Sequence, residues 1–125
     1  MKKLKAPLYV LLCLLAIACF DNDHNINISY KNSDRYYSMD AHFSKSKTRE
    51  VEEYMDRRIG KKSNMSFINS RMDGTIALDD HTTFYIKKSL GMLKIKLDKQ
   101  ENSEEAFHRV KYMCEGIKSV VQNAE

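Results

Sequence analysis

Ile26, Ile28 and Tyr30 alternate with Asn27 and Ser29, and the same two-residue period returns where Tyr37, Met39, Ala41 and Phe43 alternate with Ser38, Asp40 and His42. Such alternation marks a strand with one buried face and one wetted face. Lys31-Asn32-Ser33-Asp34 between the two runs is turn chemistry, so they are expected to fold back as a hairpin. The adjacent Tyr36 and Tyr37 must point to opposite faces, which leaves one of them exposed. From Lys47 to Ile59 the period lengthens. Val51, Tyr54, Met55 and Ile59 fall on one side and Glu52, Glu53, Asp56 and Arg57 on the other, which predicts an amphipathic helix. Glu53 and Arg57 are spaced as an i,i+4 pair, and Gly60 is a natural C′ residue.

Lys61-Lys62-Ser63-Asn64 reads as a loop. Met65 to Met72 is expected to be a strand, with Asp73-Gly74 as a type I′ turn and Thr75 to Leu78 as the partner strand. Asp79-Asp80 breaks the run. Thr82 to Lys88, the turn Leu90-Gly91, and Leu93, Ile95 and Leu97 set against Lys94 and Lys96 then predict a final hairpin. Asn102 and Glu105 are spaced as a capping box opening a long helix, whose apolar stripe is Phe107, Val110, Cys114, Ile117 and Val121. Glu105 and Arg109 pair on its wetted side. Gly116 costs about 1 kcal/mol against Ala in a helix, so close packing against a strand is the expected reason for it. The elements predict an α+β two-layer sandwich in residues 26–125: one antiparallel sheet of about five or six strands, with two helices packed on one face.

The first residues follow another pattern. Met1-Lys2-Lys3-Leu4-Lys5 forms a positive n-region, Leu8 to Leu15 an apolar h-region too short for a membrane span, and Ala16-Ile17-Ala18 supplies small residues before Cys19. Leu15-Ala16-Ile17-Ala18-Cys19 resembles the lipobox of bacterial lipoproteins, with Ala16 where Leu is usual. That resemblance implies a signal peptide over residues 1–18, a diacylglycerol on the Cys19 sulfur, cleavage before Cys19, and an acyl chain such as palmitate on the new amine. Two or three acyl chains anchor a protein stably where one does not. Membrane is thus the partner expected through Cys19, with Phe20 to Asn25 as a polar tether. In proteobacterial lipoproteins an Asp directly after the cysteine favours the inner membrane. Phe20 stands there instead, so the expected location is the outer membrane, periplasmic or surface-facing.

Composition changes this picture in two places. Lys2, Lys3 and Lys5 leave with the signal while all 17 acidic residues stay, so the mature chain is close to neutral. A near-neutral chain lacks the concentrated positive field that nucleic acid requires, and no nucleic-acid partner is expected. Of the three cysteines, Cys13 leaves with the signal and Cys19 takes the lipid. Cys114 is left without a partner and reads as a small buried hydrophobe.

The chemistry-bearing residues are few. Asp73, Asp79, Asp80 and His81 come nearest to a metal cluster, but their spacing matches no calcium loop, and turn and kink positions explain them; His42 reads as a solvent-face histidine. No metal ligand or cofactor is expected. Arg57-Arg58-Ile59-Gly60-Lys61-Lys62 and the lysines 87, 88, 94, 96 and 99 form basic regions suited to lipid headgroups, lipopolysaccharide phosphates or an acidic partner. A wetted face that keeps sheet edges from pairing explains the hairpin lysines equally well. The chain has no nucleophile elbow, metalloprotease motif or phosphate-cradling loop, so no catalytic residue is assigned. Two function classes stay open: a binding or assembly module for a protein or glycan, using a sheet edge or exposed tyrosines, and a small envelope enzyme or inhibitor whose site forms only in three dimensions. A deep pocket of converging polar groups favours the second; a flat or aromatic surface favours the first.

Overall fold

The computed structural model describes residues 26–60 and 65–122. The expected export signal, Cys19, the expected tether to Asn25 and the expected loop at Lys61–Asn64 lie outside the described residues. Strands β1 (Asn27–Asn32) and β2 (Tyr36–His42) form the first hairpin, and a short 3-10 turn leads into helix α1 (Thr48–Met55), which continues as a wider π-type turn over Asp56–Gly60. Strands β3 (Met72–Ala77), β4 (Thr83–Ser89) and β5 (Met92–Asp98) follow, then helix α2 (Glu104–Gln122). All five strands join one antiparallel sheet in the order β1-β2-β5-β4-β3. The chain is therefore an α+β fold.

The pairing of β2 with β5 closes the two hairpins into one sheet, with Met39 opposite Ile95 and Tyr37 opposite Leu97. Along β2, β4 and β5 the inner residues Tyr37, Met39, Ala41, Phe84, Ile86, Leu93, Ile95 and Leu97 are buried. Val51, Met55 and Ile59 from the first helical segment and Val110, Met113, Cys114, Ile117 and Val121 from α2 meet them in one continuous core. Burying such side chains contributes roughly 1.5–3 kcal/mol each, which is why the period of two fixes the inner face of each strand. Leu90 and Gly91 close the β4–β5 hairpin as the spacing predicts. Gly91 has φ +72°, which L side chains rarely adopt, and a Cβ there would also meet the Phe43 carbonyl at 2.8 Å. Its N–H donates to Thr48 Oγ1, tying the start of α1 to this turn.

Six local expectations are corrected. Residues 65–71 do not form a strand, because carboxylates of the first helical segment capture their backbone. Asp56 accepts from the Phe67 N–H at 2.7 Å and Glu52 from the Asn69 N–H at 3.1 Å, with Asn69 held at φ 56°. Asp73-Gly74 is not a turn. Both residues sit inside β3, opposite Lys87 and Ile86, and the chain reverses instead over Leu78–Thr82, where His81 takes φ 71°. Pairing Ile76 with Phe84 across the inner face selects this register over the one the Asp-Gly pair suggests.

Asn102 does not open a capping box. Its side-chain amide pairs with the backbone N–H and C=O of Thr83, while Ser103 Oγ accepts the Ala106 N–H and so caps α2. Gly116 packs closely against α1, at Tyr54, and not against a strand. The ion pairs shift accordingly: Glu53 pairs with Arg49, and Arg109 with Asp80.

Candidate binding face of the sheet

Both helices cover the inner face of the sheet, so alternate residues of every strand face solvent on the other side. The register arranges them in rows that cross the strands. One row runs Lys31, Ser38, Lys96, Tyr85, Thr75; the next runs Ser29, Asp40, Lys94, Lys87, Asp73. Neighbouring strands lie about 4.8 Å apart, so residues in a row are in side-chain reach of one another. Lys31 and Lys96 flank Ser38 on its two sides, while Lys94 and Lys87 stand directly opposite each other as a like-charge pair.

Local contacts hold this face in shape. Lys96 Nζ lies 4.4 Å from the centre of the Tyr36 ring and the Arg35 guanidinium 5.2 Å from it, both within cation–π range. Arg35 donates to Asp98 at 3.1 Å, and that hydrogen bond holds the Asp98 carboxyl below its ordinary range. Tyr85 donates its hydroxyl to Asp73 at 2.8 Å, which raises the phenol's pKa. Asp40 lies 3.7 Å from Lys94 and 3.4 Å from His42. A shallow groove of about 580 Å³ runs over β1, β2 and β5, with Lys31, Lys94 and Lys96 set against Asp40 and with Ser38 at its centre. Neither Lys31 nor Lys87 has an ion-pair partner among the described residues.

A larger opening of about 770 Å³ lies between α1, residues 69–71 and the β4–β5 turn. Its buried polar groups answer one another. Lys88, on the inner face in line with Phe84 and Ile86, donates to Glu52 at 2.7 Å and to the Ser70 carbonyl oxygen, while the second Glu52 oxygen takes the Asn69 N–H. The two side chains are 1% and 7% exposed. They act as a clasp holding the irregular segment to the sheet and helix. Lys88 therefore leaves the basic region predicted on the last hairpin, and so does Lys99, whose ammonium packs over Phe107 and donates to Asn32 and the Ser33 carbonyl. The alternation Phe84, Ile86, Lys88 already placed Lys88 inward; that was the signal for it.

The remaining candidates scatter. Asp73 serves Tyr85, and Asp80 binds Arg109 and accepts from the Thr82 N–H. Among the described residues no three His, Cys, Asp or Glu side chains are grouped to hold a metal ion. Arg57 and Arg58 are exposed on the π-type turn, away from the sheet lysines. Tyr37 and Cys114 are both buried, and burial raises the pKa of each. Tyr36, half-buried on the outer face, is the tyrosine of the pair left to solvent.

No family model matches this sequence, and no curated protein or solved structure is significantly similar to it.

Proposed function

We propose that the chain is an envelope lipoprotein, anchored through acyl groups on Cys19, whose α+β domain is a binding or assembly module for a protein or glycan partner. The outer face of the sheet is the surface that engages it. One observation carries this reading: a groove that gathers lysines, serines and Tyr36 on a sheet face covered by neither helix. The buried polar groups of the larger opening, by contrast, are satisfied internally and have a structural role. An outer-membrane position follows from the Cys19-Phe20 junction.

Two experiments test the reading. Labelled fatty acid enters the wild-type chain and is lost in Cys19→Ser; equal labelling of both removes the anchor. Cross-linking of the tagged lipoprotein in its native envelope yields a partner that Tyr36→Ala/Lys96→Ala fails to capture. Unchanged capture by that variant removes the outer face as the binding surface.

A further inference from the structure

The groove over Ser38 has a composition that narrows its occupant. Its cations outnumber its anions, with Lys31, Lys94 and Lys96 against Asp40, so an anionic ligand is complementary to it. Lys31 and Lys96 stand one strand to either side of Ser38, about 10 Å apart at the backbone, so a single anionic group above the Ser38 hydroxyl is within reach of both long side chains. Lys94 and Lys87 face each other across the strands, and this like-charge pair is flanked by Asp40, 3.7 Å from Lys94, and by Asp73, opposite Lys87.

The groove also contains groups that a pure polyanion does not satisfy. Asp40 accepts hydrogen bonds and repels phosphate or carboxylate, while Ser29 and Ser38 offer free hydroxyls. A DNA strand carries a phosphate on every residue and no free hydroxyl along its backbone, so it repels Asp40 without supplying a hydroxyl donor to it. Its lining also includes Tyr36 and Tyr85, whose rings offer flat apolar surface beside the charged and hydroxyl groups. A chain whose residues carry both hydroxyls and acidic groups matches both halves of the lining, since its hydroxyls donate to Asp40 and its acids meet the lysines.

We propose that the groove over Ser38 binds an acidic glycan, with Lys31 and Lys96 meeting a carboxylate, sulfate or phosphate group and Asp40 accepting from sugar hydroxyls. This rests on the reading of the outer face as the binding surface.

The test uses the whole chain in neutral detergent, applied to immobilised polygalacturonate, dextran sulfate, neutral dextran, poly-glutamate and a single-stranded oligonucleotide. The expected result is salt-sensitive retention on polygalacturonate or dextran sulfate, weak retention on the other three, and a roughly tenfold loss in Lys31→Gln/Lys96→Gln. Both lysines are exposed, so that variant keeps the fold, which circular dichroism verifies. Lys45→Gln, placed at the other opening, leaves retention unchanged. Equal retention on poly-glutamate or the oligonucleotide overturns the glycan, and unchanged retention in the double lysine variant overturns the site. Failure to bind any acidic glycan, while Tyr36→Ala/Lys96→Ala still abolishes capture of the native partner, overturns this inference and leaves the binding face standing.

Discussion

Tyr54 of α1 rests so closely on Gly116 of α2 that a Cβ at position 116 would stand 1.8 Å from the phenolic oxygen and 2.7 Å from the ring carbon bearing it. The glycine is thus the notch through which the first helix approaches the second. Helix propensity favours Ala over Gly by about 1 kcal/mol, and the clash with Tyr54 opposes that gain. Gly116→Ala should therefore destabilise the wild type and stabilise a Tyr54→Ala background. The double-mutant cycle in denaturant is expected to show a coupling of about 0.5–3 kcal/mol. Additive effects would mean that the contact has no energetic weight.

The buried clasp between Lys88 and Glu52 predicts an asymmetry. Lys88→Met leaves the Glu52 carboxylate buried with the Asn69 N–H as its remaining hydrogen-bond donor, and removing one partner of a buried pair costs about 3–5 kcal/mol. Replacing both, as Lys88→Met/Glu52→Leu, should cost clearly less than Lys88→Met alone. Urea midpoints decide it, and a double variant less stable than the single one would contradict the argument.

Gly74 gives the opposite expectation to a turn glycine. It lies in the middle of β3 with no positive φ, and a Cβ built there meets nothing within 4 Å. Gly74→Val should leave stability unchanged or raise it by up to about 1 kcal/mol, because valine suits extended backbone and glycine does not. A clear loss of stability would restore the turn and undo the β3–β4 register.

Cys114 makes stability depend on alkaline pH. Burial raises its thiol pKa in the folded chain, so the unfolded chain releases a proton first, near pH 8.5. A group whose folded pKa is raised contributes stability that is complete below the unfolded pKa and is lost as pH climbs toward the folded one. Above about pH 8.5, wild type should lose stability more steeply than Cys114→Ala, by about 1.4 kcal/mol per pH unit. Parallel pH profiles would refute it. The native thiol should also react slowly with a thiol reagent until denaturant is added, and rapid native labelling would place Cys114 outside the core.

Period-two alternation in β2, β4 and β5, and the apolar stripe of α2, were legible because each reflects a condition on neighbouring residues: one face dry, the next wet. β1 forms as its alternation predicts, but at the sheet edge it leaves Ile26 and Tyr30 exposed and only Ile28 half-buried. The burial of Cys114 and the exposure of Tyr36 beside Tyr37 follow from the same local rule. The segment 65–71 was not legible. Met65, Phe67 and Ile68 give it a strand-like apolar content, and what prevents the strand is Asp56 and Glu52, which reach it from another element. Asp73-Gly74 failed for a related reason, since the preference of two residues for a turn is smaller than the gain from setting Ile76 against Phe84.

The outer face of the sheet shows the same division. Chain order lists Lys31, Ser38 and Lys96 as unrelated polar residues and joins Lys88 to the exposed lysines. Sheet order puts Lys31 and Lys96 on either side of Ser38 and turns Lys88 inward to Glu52. Alternation determined which side of its own strand each residue occupies, because burying one face of a pleated ribbon is a local requirement. Which strands lie side by side, and so which cations share a groove, was decided only by tertiary pairing, whose energy comes from residues tens of positions apart.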